Sequence, residues 1–173
     1  MRVPISMTDT PYPAVVPGAM LQGVSLPSWP TGAMVNIRSG HGPRVLVTLH
    51  SAVCPACWRY VHVDLASDAE GLAEWGGRLA VVVPGPVENA NALAKITIDA
   101  IPVLLDLEGR LASGRAMVVI ADEWGEVYSV ADAGAEHEFP ASLEVADWVR
   151  FLAIQCPECE GPEGEWRNVD IPR

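Results

Sequence analysis

RVLVTLHSAVCPAC, residues 44–57, is an apolar run that ends in a pair of cysteines around Pro55. Val and Leu dominate Arg44 to His50, so this half reads as a strand. The second half reads as a helix start. Pro55 falls in the first helical turn, where its missing N–H costs nothing. Cys57, Val61 and Leu65 then recur at i, i+4 and i+8, which predicts a helix from Pro55 to about Leu65 with a buried stripe.

A strand that hands Cys-x-x-Cys to a helix start has a chemical consequence. Cys54 would sit where unpaired backbone N–H groups and the positive end of the helix dipole favour a thiolate. Such settings lower a thiol pKa from ~8.5 towards ~3.5–7.5. Cys57, one turn on, would then attack a mixed disulfide formed on Cys54 and release the product. The competing reading is a pair of buried structural cysteines. His50, on the strand leading to Cys54, is close enough in sequence to influence its titration. His41, His50, His62 and His137 show no i, i+4 pairing with one another.

The other two cysteines repeat the pattern as Cys156-Pro157-Glu158-Cys159, in the polar stretch QCPECEGPEGEW. Three readings fit that pair: a second dithiol that relays electrons to or from Cys54 and Cys57, a contribution to zinc binding, or an accessory thiol pair. Four cysteines are the right number for a zinc site, but the two pairs are far beyond the usual ribbon spacing.

Working outward, residues 1–17 are rich in proline and weakly periodic, and read as an extended arm. Leu21 to Leu26 and Ala33 to Ile37 read as short strands around a Pro30-Thr31-Gly32 turn. Ser67 with Glu70 three residues on gives a capping-box pattern for a second helix, which stops at Gly76-Gly77. Leu79 to Val83 has the unbroken apolar character of a strand covered on both faces. Glu88 to Ile96 reads as helix, and Pro102 to Leu107 as a strand that breaks at Glu108-Gly109. Met117 to Ala121 and Glu126 to Val130 flank a turn at Asp122–Gly125, hence a hairpin. The last helix runs from about Ser142 to Ile154, with Val145, Trp148, Val149 and Leu152 on one face.

Strands alternating with helices imply an α/β fold: a central mixed sheet flanked by helices, with an N-terminal β extension. At 173 residues, half of them apolar, one main domain is expected, over 18–155, with 156–173 as a cysteine-containing tail. The net charge of −11 argues against a nucleic-acid surface and against an anionic membrane surface. MRVPISMTDTPYPAVVPGAM lacks the basic start and unbroken apolar stretch of a leader. The expected location is therefore cytoplasmic, where thiols stay reduced and paired cysteines lean towards redox or metal roles. No Gly-rich phosphate loop is present, so no organic cofactor is expected.

RVLVTLHSAVCPAC, LAVVVPGP, PVLLDLEGRLA and MVVIADEWGEVY together resemble the redoxins. This thioredoxin-like group includes alkyl hydroperoxide reductase/thiol-specific antioxidant proteins and thiol-disulfide oxidoreductases. The resemblance covers Gly18 to Gln155. It implies a thioredoxin-like fold and dithiol–disulfide exchange through Cys54 and Cys57. The implied substrates are protein or small-molecule disulfides and thiols, with a reductase or thiol as electron donor. Two alternatives go with it: a peroxiredoxin-like thiol peroxidase, in which Cys54 becomes a sulfenic acid, and a non-catalytic module with zinc or a partner on the Cys156–Cys159 tail. Ser51 matches the peroxiredoxin hydroxyl position ahead of Cys54, whereas Val47 stands where those proteins carry proline. The cis-proline that flanks the family's site aligns with Ala116, or alternatively with Pro102. Arg115 aligns roughly with the arginine that supports a peroxidatic thiolate. Pro55 and Trp58 complete the expected lining.

Overall fold

β3 (Arg44–Thr48) is buried at all five positions, as its unbroken apolar run predicts. In a computed structural model, residues 15–21, 23–38, 40–85, 101–111 and 114–155 are described. The expected helix at Glu88 to Ile96, most of the N-terminal arm and Cys156–Cys159 lie outside the described residues.

The remaining strands are β1 (Ser25–Trp29), β2 (Met34–Asn36), β4 (Arg78–Pro84), β5 (Val103–Asp106), β6 (Met117–Ala121) and β7 (Val127–Asp132). They form one sheet in the order β2-β1-β5-β4-β3-β6-β7. β3, β4 and β5 run parallel, while β6 is antiparallel to both β3 and β7. The N-terminal hairpin joins the same sheet by pairing β1 antiparallel to β5. β1 begins later than the apolar pattern of Leu21 to Leu26 suggests. The Leu21 N–H is engaged by the Gly125 carbonyl, 2.6 Å away, so the chain first crosses towards the β6–β7 turn and pairs with β2 only from Ser25.

Alternation along the strands divides the interior in two. Val45, Val47 and Leu49 belong to one cluster with Val81, Val83, Val118 and Ile120, whereas Leu46 faces Val82, Leu104 and Val119 in the other. All described helices pack on the first face. α1 (Pro55–Arg59) widens into a π-helical stretch, Tyr60–Leu65, and contributes Cys57, Trp58, Val61 and Leu65. α2 (Ala69–Glu74) adds Leu72, and α3 (Ser142–Ala153) adds Val145, Val149 and Leu152, with Trp148 partly buried beside them. On the second face, Leu21, Val24, Leu26, Ile37 and Leu111 cover the sheet among the described residues.

One local expectation is overturned. Ser67 does not cap α2: its hydroxyl donates to the Asp64 carbonyl at 2.8 Å, because the preceding π-helical stretch and a 3-10 turn, Ala66–Asp68, leave no free helix start there. The predicted stop is observed. Gly76, with φ +71°, donates to Ala73, and Gly77 donates to Leu72, the paired bonds of a Schellman end that needs a left-handed residue.

Arg44 opens β3 at the end opposite the cysteines and is 2 % exposed. Its guanidinium donates to the carbonyls of Ile37 (2.7 Å), Arg38 (2.5 Å), Gly40 (2.7 Å), Gly42 (3.1 Å), Asp122 (3.0 Å) and Glu123 (3.0 Å). Burial depresses its pKa, as does Arg78 nearby, while Asp122 opposes the shift. One side chain thus ties the 37–42 loop and the β6–β7 turn to the head of β3. That turn is further closed by Asp122, whose Oδ1 accepts from the Trp124 and Glu126 N–H groups. Arg44→Met keeps the apolar stem but leaves these carbonyls without their donor. Unsatisfied buried acceptors cost roughly 1–3 kcal/mol each, less where water reaches them, so the variant should lose about 3 kcal/mol or more in urea unfolding. A shift within experimental error would show that the clamp is not structural.

Candidate thiol–imidazole site

The site is built at the carboxyl end of β3. The strand pairs with β4 and β6 as far as Thr48, and Leu49 still donates to Val82 at 2.9 Å. His50 follows at the surface. A tight turn comes next, in which the Ser51 hydroxyl accepts from the Val53 N–H (3.3 Å) and its carbonyl from the Cys54 N–H (3.4 Å). Cys54 is the residue that caps α1, with extended backbone (φ −70°, ψ 115°), and its carbonyl receives the Trp58 N–H at 3.2 Å. Pro55 begins the helix, as the sequence suggests. Trp58 is 5 % exposed and its Nε1 donates to the Ala52 carbonyl at 2.8 Å. It therefore braces the turn from below and offers no groove to a partner.

Both cysteines are free thiols. Cys54 is 9 % exposed and Cys57 fully buried. Each sulfur has its own imidazole nitrogen: Cys57 Sγ lies 3.4 Å from His50 Nδ1, and Cys54 Sγ lies 3.4 Å from His137 Nε2. The two ring nitrogens are 3.3 Å apart. Burial, with the neighbouring Cys54 next, pushes the Cys57 thiol up to about 12. Cys57 therefore stays protonated at neutral pH unless a base takes its proton.

His137 comes from the loop between β7 and α3. It is the one residue other than glycine with a left-handed backbone among those described, at φ 58°. Such a conformation costs free energy in a side-chain-bearing residue and is held by its surroundings. The surroundings here are specific. The Glu138 N–H donates to Ala133 (2.9 Å) and the Phe139 N–H to the His137 carbonyl (3.0 Å). The Phe139 ring stacks on Tyr60 at 4.3 Å, with 6° between planes. Stacked aromatics on the π-helical stretch thus fix the loop that aims His137 at Cys54. Beside it opens a cleft of about 670 Å3 lined by residues including Ala56, Tyr60, His137 and Phe139. The Tyr60 hydroxyl is buried with no hydrogen-bond partner in the structure, and burial raises its pKa.

Arg115 and Pro102, also expected at the site, act through the backbone or lie elsewhere. The Arg115 guanidinium pairs with Asp132, and its contribution near the site is a carbonyl that accepts from the Thr48 hydroxyl at 2.8 Å. Asp132 is correspondingly held below the usual carboxylate range by Arg115. Pro102 is exposed and precedes β5, two strands away from β3. Among the described residues the cis peptide is Trp29–Pro30, so Ile101–Pro102 is trans. Ala116 lies just before β6, where Met117 pairs with Thr48, and is packed in the cluster that holds both cysteines. Val47 is fully buried in that cluster. Cys156 and Cys159 fall outside the described residues.

His137 is the residue that sequence reasoning missed. The spacing His50, Cys54, Cys57 places three candidate groups within eight positions, which is a readable local signal. Nothing in GAEHEFP (residues 134–140) signals that its histidine returns to the cysteines.

No protein-family model matches the chain, and no curated protein sequence matches it significantly. Solved structures do. Peroxidoxin BcpB from Mycobacterium tuberculosis superposes with a TM-score of 0.62 at 21% identity, over 81% of this chain and 98% of that one. The thioredoxin domain of a thiol-disulfide oxidoreductase from Bacteroides vulgatus gives 0.59 at 13% identity, over 79% and 99%. The bacterioferritin comigratory protein of Xanthomonas campestris, a structure concerned with alkyl peroxide reduction, gives 0.59 at 13% identity, over 75% and 92%. No described helix is long and apolar enough to cross a membrane. With its mixed sheet, its Cys-x-x-Cys at the β3-to-α1 turn and these neighbours, the chain has a thioredoxin-like fold.

Proposed function

We propose that the protein is a thiol-disulfide oxidoreductase that works through Cys54 and Cys57. The observation that carries this reading is the separate imidazole nitrogen at 3.4 Å from each sulfur. His137 takes the proton of Cys54, and the resulting thiolate attacks one sulfur of a substrate disulfide. The S–S bond breaks, one substrate thiolate leaves, and a mixed disulfide forms on Cys54. Cys57 is too basic to ionise by itself, so His50 takes its proton as it attacks Cys54 Sγ. The second substrate thiol departs and the Cys54–Cys57 disulfide remains. A reductase or small thiol returns the pair to the dithiol. This is the activated-nucleophile logic of paired thiol and base, with one base for each step. The cleft beside His137, the imidazole that meets Cys54, suits the substrate.

A thiol peroxidase is the second reading. Peroxidoxins are among the similar structures, but Arg115 is committed to Asp132 and Val47 is buried in the core, which favours disulfide exchange. The tail pair, Cys156 and Cys159, we assign to relaying electrons to or from the first pair.

Alkylation at mildly acidic to neutral pH should label Cys54 well before Cys57, because burial and a raised pKa both protect Cys57. Equal rates for the two thiols would remove the assignment of Cys54 as attacker. Cys54→Ser should abolish reduction of a protein disulfide, and the wild type should reduce a protein disulfide much faster than hydrogen peroxide. Rapid sulfenic acid formation on Cys54 would reverse that order. Replacing Cys156 and Cys159 together with Ser should slow turnover and leave the rate of Cys54 alkylation unchanged. Unaltered turnover would exclude the relay.

A further inference from the structure

Four donor atoms converge at the end of β3. Cys54 Sγ, Cys57 Sγ, His50 Nδ1 and His137 Nε2 all lie within 4.8 Å of one another. Three of the six separations are sharper: 3.4 Å for Cys54 Sγ to His137 Nε2, 3.4 Å for Cys57 Sγ to His50 Nδ1, and 3.3 Å between the nitrogens. A tetrahedral Zn2+ with bonds of ~2.3 Å to sulfur and ~2.0–2.1 Å to nitrogen places its ligands ~3.5–3.6 Å apart for S···N and ~3.3–3.4 Å apart for N···N. These three of the six edges are within about 0.2 Å of those of that tetrahedron, and the other three fall within 4.8 Å.

Proton counting leads to the same conclusion. A ring nitrogen offers one in-plane position, which holds either a proton or a lone pair. His137 Nε2 faces both Cys54 Sγ and His50 Nδ1, and His50 Nδ1 faces both Cys57 Sγ and His137 Nε2. One position on each nitrogen cannot serve two partners well. A single cation at the centre accepts a lone pair from all four atoms at once.

The geometry points to a mononuclear Cys2His2 metal site, made by His50, Cys54, Cys57 and His137, that takes Zn2+ when the cysteines are reduced. Two thiolates with two imidazoles are a borderline-soft donor set suited to zinc. Loading releases the two thiol protons to solvent as two S–Zn bonds form. His50 lies on the exposed side and gives the ion a way in, while Cys57 closes the site from within. The inference deepens the proposed function, because both use the reduced Cys54–Cys57 pair. A substrate disulfide that takes two electrons from the zinc dithiolate, with two protons, yields two substrate thiols, the Cys54–Cys57 disulfide and free Zn2+. Metal and disulfide are therefore mutually exclusive occupants.

The test uses the full chain, reduced and freed of metal, titrated with Co2+ and then with Zn2+ against a competing chelator. One equivalent of Co2+ should bind, with the visible bands of tetrahedral cobalt and a thiolate-to-cobalt charge-transfer band, and Zn2+ should displace it. His50→Ala and His137→Asn should each weaken binding by more than roughly 100-fold, beyond what the loss of a merely supporting residue costs. Asn is chosen because it tolerates the left-handed backbone of position 137, and matching thermal melts of the metal-free proteins check that the variants fold. The double variant Cys156→Ser/Cys159→Ser should bind as the wild type does. Wild-type affinity in both histidine variants, or binding lost only in the tail variant, overturns the site. A chain that cycles its disulfide normally but binds neither metal overturns the metal site and leaves the exchange activity standing. A chain that binds one zinc through these residues yet never forms the disulfide upholds the site and removes the exchange activity.

Discussion

β3 is buried on both faces, and that constraint decides where the polar residues at its ends can go. A strand flanked by β4 and β6 and covered above and below has no room for a charge along its length. Its polar residues are therefore gathered at its two ends. Arg44 lies at one end, satisfied by backbone carbonyls from two segments, and His50 lies at the other, beside the thiols. The sheet supplies rigidity between them. A change at the Arg44 end would be felt as loss of stability, whereas the His50 end carries the exposed imidazole and the turn that leads to the thiols.

The thiol end is also organised by strain. His137 holds an unfavourable backbone conformation, and the stacking of Phe139 on Tyr60 with the hydrogen bonds of residues 133–139 offsets its cost. A loop fixed in this way presents its imidazole with little entropy left to lose. That serves proton transfer, which needs the nitrogen within reach of the sulfur, and it equally serves a metal, which needs its ligands in place beforehand. The same preorganisation thus suits both proposed uses of the dithiol.

Much of this was legible in the residues. The apolar run from Arg44, the helix start at Pro55, the hairpin around Asp122–Gly125 and the last helix all follow from period and turn chemistry, and they appear with boundaries shifted by a residue or two. The Ser67 cap was not, because its neighbours continue a π-helical stretch that no local pattern encodes. Arg44 was not singled out either. Its role depends on carbonyls contributed by the β6–β7 turn, distant in sequence. His137 failed to register for the same reason: a histidine among glycine, alanine and glutamate looks like a solvated loop until the fold returns it to the cysteines. Local rules find elements, while a site assembled from three segments is visible only once those elements are packed.

His137 is 83 positions after Cys54. Synthesis runs from the N-terminus, so the dithiol and His50 leave the ribosome long before their last companion exists. β6 and β7, which carry the chain back past β3, must also be made first. For that interval Cys54 lacks the imidazole of His137, and the thiols have only His50 near them in sequence. Assembly of the thiol–imidazole cluster is thereby tied to completion of the domain. A truncated product that stops before residue 137 would keep both cysteines and lack the imidazole that meets Cys54, so the four-atom cluster exists only in a chain made past that point.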